Sequence, residues 1–288
     1  MYNYKVILCG CTRSSGNYIY NHLLSLVRLG QHFTEYAIIV YENDSTDDTL
    51  QQLKKFKAYN HNFYYISETN VANNIIKNKN KNNIITRSRI IAHGRNMLLN
   101  EINERFNEYD LMIMTDLDNV LNNFDTSCID DVFKYDINSW DGLTANCLNR
   151  YYDIWALRIS LNIWDPLIHE PVWTKEMKEK MNYDWWDWWD CWNNNSHVGN
   201  KIAHIKRCQA LIPRNYPLIE SDSSFGGMGI YKISKIKNCR YGSERYINGN
   251  AVGEQCEHVS FHTGIKKNGG KIFICPSLIV NCAVEHFH

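Results

Sequence analysis

The chain lacks charge imbalance, apolar runs of membrane length and any Cys-x-x-Cys spacing, and each absence narrows what it can be. Lys+Arg and Asp+Glu stand at 31 each in 288 residues, giving a formal net charge of +0. That balance removes electrostatic capture of nucleic acid or an anionic membrane surface and favours a small or neutral substrate. No apolar run reaches the roughly 18 to 20 residues of a membrane span, and the opening Met1-Tyr-Asn-Tyr-Lys-Val-Ile-Leu-Cys-Gly10 reads as a strand, not a cleavable leader. Together these predict a soluble, cytoplasmic chain. Ten cysteines are present, but Cys9/Cys11 and Cys275/Cys282 lack zinc-ribbon spacing. Free, mostly buried thiols in a reducing compartment are expected, with no support for a catalytic cysteine.

What is present begins with alternation. At 33.9 kDa the chain can bury one large core. Residues 5–11 form a β-rich run, Ser14-Ser15-Gly16-Asn17 a turn, and Ile19, Leu23, Leu24, Leu26 and Val27 the apolar stripe of a helix. A second strand over 36–41 runs into Glu42-Asn-Asp-Ser-Thr-Asp-Asp-Thr49, where Ser45 or Thr46 is placed to cap a helix and Asp47 and Asp48 suit its positive end. A strand over 62–66, an Asn/Lys/Ile-biased loop over 70–83 and a helix over 90–106 follow. This series predicts an α/β fold with a mainly parallel, Rossmann-like sheet that binds ligands at the carboxyl ends of its strands. Further strands are expected over 141–147 and 271–276, and a helix over 253–258.

The sharpest signal is Asp110-Leu-Met-Ile-Met-Thr-Asp-Leu-Asp-Asn119, an apolar strand ending in Asp116 and Asp118. In an extended chain residues i and i+2 face one side, so both carboxylates can converge on one hard cation whose other ligands are diphosphate oxygens. An ordinary strand-to-turn exit is the plainer alternative. A second unusual stretch, about 155–200, contains Asp184-Trp-Trp-Asp-Trp-Trp-Asp-Cys-Trp192. Its indole faces suit stacking on sugars and its carboxylates suit hydroxyls, yet a helix packed by aromatics reads equally well.

Read together, these pieces resemble the GT-A glycosyltransferase superfamily over nearly the whole chain. The matching motifs are the strand end at 41–49, Arg95-Asn96 before the DxD strand, Asp116/Asp118 as the DxD, Phe225-Gly-Gly-Met-Gly229 as a glycine-rich acceptor loop, and Gly253-Glu254 through Glu257-His258 in the place of the acidic catalytic motif. Asn268-Gly-Gly-Lys-Ile-Phe-Ile-Cys-Pro276 resembles the segment that follows that motif, and His286 and His288 stand where the superfamily places a metal-binding histidine. Tyr41-Glu42, Tyr152-Asp-Ile-Trp-Ala-Leu-Arg158 and Phe225-Gly-Gly-Met228 look like the fungal capsule-associated α-1,3-mannosyltransferase family, while the Asn/Ile/Lys bias is similar to anchorless glycosyltransferases of large DNA viruses.

The resemblance implies a single GT-A domain over 1–288, a mixed, mainly parallel sheet flanked by helices, with 1–125 as the nucleotide-sugar half and 126–288 as the acceptor half. It implies transfer of a hexose from a GDP- or UDP-sugar to a glycan or glycoprotein hydroxyl, with Mn²⁺ or Mg²⁺ held by Asp116, Asp118 and His286. Thr12, Arg13, Glu42, Asp44 and Arg95 join the two aspartates as donor-binding candidates: Glu42 and Asp44 toward ribose or base, Arg13 and Arg95 toward the diphosphate. The alternatives are a solvated side chain at Asp44 and a structural ion pair at Arg95. Glu257, with Glu254 second, is the candidate base if the reaction inverts; if it retains, Glu257 orients the acceptor instead. Glu220, Asp222, Gly226, Gly227, Trp185 and Trp188 are the acceptor-binding candidates. No nucleic-acid partner is expected, and self-association is left open. A nucleotidyltransferase would show a lysine-bearing phosphate loop, which Gly10-Cys-Thr-Arg-Ser-Ser-Gly16 lacks, and an inactive carbohydrate-binding module would not need the intact DxD.

Overall fold

In the computed structural model, residues 1–77, 87–148, 150–159, 209, 211–247 and 250–281 are described. The first half alternates: β1 (Tyr2–Thr12), α1 (Ile19–Gly30), β2 (Phe33–Asn43), α2 (Thr49–Tyr59), β3 (Phe63–Glu68), α3 (Val71–Lys77), α4 (Arg87–Arg105) and β4 (Leu111–Thr115). The short helix α5 (Cys128–Val132) and β5 (Gly142–Cys147) follow. Beyond them come β6 (Ile219–Ser221), β7 (Met228–Lys232), α6 (Ile233–Ile236), a β8 (Glu244–Ile247) and β9 (Asn250–Glu254) ribbon, α7 (Glu257–Lys267) and β10 (Ile272–Val280).

Eight strands form one sheet in the order β3-β2-β1-β4-β7-β5-β10-β6. β3, β2, β1 and β4 are mutually parallel, β7 runs against both β4 and β5, and β10 is parallel to β5 with β6 antiparallel at the edge. The expected mixed, mainly parallel sheet flanked by helices is thus the observed one. Because helices cover both faces, the central strands are apolar on both sides: along β1, Val6 and Leu8 pack into the core under α1, α2 and α5, while Ile7 and Cys9 pack into the core under α4 and α7. Where β2 and β4 leave opposite sides of β1, the carboxyl ends of these strands open a crevice.

Three local expectations are corrected. Helix α2 starts at Thr49, later than a Ser45 or Thr46 cap implies; Asp47 instead accepts from the Thr49 N–H at 3.0 Å and its hydroxyl at 2.5 Å. The tract 70–83 is not all loop, since α3 occupies Val71–Lys77. Asp44, from the end of β2, accepts from the Asn70 and Val71 N–H groups at 2.5 and 3.2 Å and so fixes the start of that helix. Residues 253–258 are not one helix: β9 runs through Glu254, and α7 begins at Glu257 after Cys256. Among the described residues no helix is long and apolar enough to cross a membrane, and the seven described cysteines are free, six of them buried.

Candidate active site

The crevice deepens into a cavity of about 800 Å³. Thr12 and Arg13 line it from the end of β1, Asn43 from β2, Arg95 from α4, Asp116 and Asp118 from the segment just after β4, where the chain has left the strand, and Glu257 and His258 from the first turn of α7. Tyr152, Asp153 and Trp155 enter from the loop after β5. The topology therefore gathers residues more than 240 positions apart at the carboxyl ends of the central strands.

Arg95 reaches the cavity because α4 lies close on the sheet at Gly94, where a Cβ would come within 2.5 Å of the Tyr41 ring. Next to it, Asn96 clamps the backbone of Tyr241 through both amide atoms, at 2.8 and 2.9 Å. The Arg95 guanidinium forks. One nitrogen donates to Asp116 Oδ1 at 2.7 Å, and the other to Glu257 Oε1 and, at 2.5 Å, to His258 Nε2. Since a guanidinium can only donate, His258 accepts at Nε2 and carries its proton on Nδ1, which has no hydrogen-bond partner among the described residues. Burial, with Arg95 beside it, holds the His258 ring well below the ordinary imidazole range, so it is neutral. Phe225 stacks on that ring with centroids 3.8 Å apart.

Burial pushes the Asp116 carboxyl up to about 7; Arg95 opposes the rise, while Asp118, Asp153 and Glu257 add to it. Asp118 accepts from the Val120 N–H at 3.1 Å and starts the turn after β4. Among the described residues no three His, Cys, Asp or Glu side chains gather as a metal cage. Cys11 and Cys256 also line the cavity, but burial raises the first thiol to about 12 and the second well above its usual range, so neither is a nucleophile.

The Phe225-Gly226-Gly227 turn borders this site. Gly226 and Gly227 have φ of +65° and +92°, and a Cβ on Gly226 would lie 2.3 Å from Ala145 O. The turn is sewn on both sides: Asp116 N–H donates to Gly227 O at 2.9 Å, while the Phe225 N–H donates to Tyr151 Oη and the Gly226 N–H to Asp153 Oδ2, each at 3.1 Å.

Several expected residues lie elsewhere. Glu42 is buried with its oxygens taken by the Ser45 N–H at 2.9 Å and the Ser67 hydroxyl at 2.5 Å, so Asn43, not Glu42, faces the cavity. Asp44 caps α3. Glu220 and Asp222 are on or beside the edge strand β6, where alternation points Glu220 outward, and Asp222 pairs with Lys266; neither lines the cavity. The Glu254 side chain, Trp185, Trp188 and His286 lie outside the described residues. Asp153 and His258 had no assigned role in the sequence, because nothing local shows that the loop after β5 and the start of α7 meet at the DxD strand.

The loop after β1 is equally informative. The N–H groups of Ser14, Ser15 and Gly16 donate to Ser45 Oγ, Thr49 Oγ1 and Asp47 Oδ2 at 2.9, 2.7 and 2.9 Å. A phosphate-cradling loop needs those amides free, so the loop does not serve as one.

No family model matches this chain, and a search of curated proteins finds no match. Solved structures do match. A Staphylococcus aureus TarS structure (residues 1–349) aligns at 16% identity and a TM-score of 0.49, covering 98% of this chain and 62% of that one. A mannosyltransferase from Pyrobaculum calidifontis, in complex with GDP-Man and Mn²⁺, aligns at 12% identity and a TM-score of 0.48, covering 99% and 58%. TarS with UDP-GlcNAc aligns at 15% and 0.44, covering 98% and 60%. The chain thus spans less than two thirds of each.

Proposed function

We propose that this protein is a glycosyltransferase that moves a hexose from a nucleotide diphosphate sugar to a glycan hydroxyl. The observation that carries the reading is the convergence of Asp116, Asp118, Arg95 and Glu257 in one cavity at the carboxyl ends of β1, β2 and β4. The closed amides of the β1 loop speak against nucleotidyl transfer through a phosphate loop.

The donor set fits a divalent cation. Asp116 and Asp118 offer hard oxygen ligands, and the cavity lining holds four carboxylates, Asp116, Asp118, Asp153 and Glu257, against three arginines, Arg13, Arg87 and Arg95; burial first, and then the neighbouring carboxylates, raise the Asp116 carboxyl. Mg²⁺ and Mn²⁺ suit one or two carboxylates completed by substrate oxygens, so a full protein cage is not required. When bound, the cation would neutralise charge on the departing diphosphate. The chain's own residues do the rest. Arg95 fixes the Asp116 and Glu257 carboxylates relative to each other, and Arg13 reaches the diphosphate from β1. Glu257, at the positive end of α7, takes the acceptor proton if the anomeric carbon inverts and orients the acceptor if it does not.

The test is a panel of UDP- and GDP-hexoses with Mn²⁺, Mg²⁺ or EDTA, scored for metal-dependent release of nucleoside diphosphate in the presence of glycan acceptors. Release that EDTA abolishes, Mn²⁺ restores and Asp118→Ala removes is the expected result. Undiminished activity in EDTA would sink the metal assignment, and no turnover or binding of any donor would sink the glycosyltransferase reading.

A further inference from the structure

Asp153 is a cavity residue whose setting asks for a further partner. It follows Tyr151 and Tyr152 in the loop after β5 and lines the cavity with Tyr152 and Trp155. Its Oδ2 accepts from the Gly226 N–H at 3.1 Å, and its Oδ1 from the Ala156 N–H at a long 3.4 Å. Among the described residues no Lys, Arg or His forms an ion pair with it. Each carboxylate oxygen has two acceptor sites, so two backbone N–H groups leave capacity on both, and the hydroxyls of a sugar are donors that can fill it.

Its position narrows which hydroxyls. The turn that Asp153 holds at Gly226 is the one whose Gly227 carbonyl takes the Asp116 N–H. Asp153 is therefore tied through two residues of rigid backbone to the DxD strand. If the nucleoside occupies the Asn43 side of the cavity and the diphosphate lies between the ends of β1 and β4, the sugar falls beyond β4, toward the β5 and β7 loops, where Asp153, Trp155 and Glu257 stand. The turn lies close against β5, where a Cβ at Gly226 would come 2.3 Å from Ala145 O, and the Asp116 and Ala145 N–H groups bond its Gly227 and Phe225 carbonyls, so the carboxylate it holds is preset, not recruited.

Resting on the glycosyltransferase reading, we infer that Asp153 binds a ring hydroxyl of the transferred sugar and so contributes to the choice of donor hexose. A site that bonds a substrate hydroxyl discriminates strongly against an analogue lacking it.

Calorimetry on the full chain separates this from a structural role. For the donor found active in the panel, Asp153→Ala is expected to leave affinity for the nucleoside diphosphate alone within about twofold while weakening the intact nucleotide sugar by about tenfold or more, the usual scale for a hydrogen bond to a charged group. In a series of deoxy donors, one analogue should bind wild type and variant alike, because the contact is already missing from it. Asp153→Asn keeps an oxygen for the Gly226 N–H and guards against misfolding of the Ala variant; it should show the same split, with thermal melting confirming a folded chain. Equal losses for diphosphate and nucleotide sugar, additive losses across every deoxy donor, or an unchanged donor affinity would each overturn the assignment. Wild type that binds the nucleoside diphosphate but shows no Asp153 effect removes only this inference; wild type that binds no nucleotide at all removes the glycosyltransferase reading with it.

Discussion

Removing the Arg95 guanidinium would strand two carboxylates at once. Arg95 is 4% exposed, and it bridges Asp116 and Glu257 while lying over the Phe225 and Tyr241 rings at 4.9 and 5.5 Å. Taking one partner out of such a buried set typically costs about 3 to 5 kcal/mol, mostly from the uncompensated charge left behind. Arg95→Met should therefore lower the unfolding free energy by that order, read as a lower urea midpoint at an unaltered m-value. Arg95→Lys should fall between, because an ammonium cannot fork to two carboxylates. A loss under about 1 kcal/mol for Arg95→Met would show that the pairs are solvated and energetically idle. At this scale the sequence was readable in part: Asp116, Asp118, Arg95 and Glu257 were singled out, and the structure brings them together. Glu42 and Asp44 were not readable, since a carboxylate at a strand end looks the same whether it meets a ligand or, as here, the N–H groups and hydroxyls of neighbouring loops.

Helix α7 carries a pH dependence of its own. His262 is buried between Ser223 Oγ, 2.9 Å from Nδ1, and Tyr231 Oη, 2.9 Å from Nε2, and burial, helped by Arg95 and Arg158, lowers it to about 3. Below pH about 6.5 the unfolded chain takes up a proton that the folded one refuses, so the unfolded state binds more protons and stability falls with falling pH, down to about pH 3. One group contributes up to about 1.4 kcal/mol per pH unit in that window. His262→Gln keeps both hydrogen-bonding ends without a titrating group; it should be less stable at pH 7 but lose its part of the slope between pH 6.5 and 5, where His258 acts in the same direction and Asp116, whose raised carboxyl takes up a proton in the folded chain, acts in the opposite one. An unaltered slope in urea titrations would refute the neutral histidine. Elements built from strong local patterns, such as β1, α1, β2 and β4, were legible. Helix α3 was not, because its start depends on Asp44 from another loop, and β9 was not, because it exists only by pairing with β8.

At the scale of the molecule, the two halves suggested by the motifs do not correspond to two sheets. β7, from the second half of the chain, pairs with β4 through Leu111↔Lys232 to Thr115↔Met228 and then with β5, so it is the seam of a continuous sheet. The core beneath it mixes Leu8 and Ile113 with Leu143, Met228, Ile230 and Leu278. A fragment ending at residue 125 would lose that half of the core and expose β4, a run of Leu, Met, Ile and Met, as an open edge, which is an aggregation hazard. The 288-residue chain should accordingly unfold as one cooperative unit, with amides of β1 and β4 and amides of β5 and β10 exchanging through the same global opening. Residues 1–125 alone should be unfolded or aggregated. Two separated denaturation transitions, or a well-dispersed NMR spectrum from the 1–125 fragment, would show instead that the nucleotide half is an autonomous domain and that β7 merely docks against it.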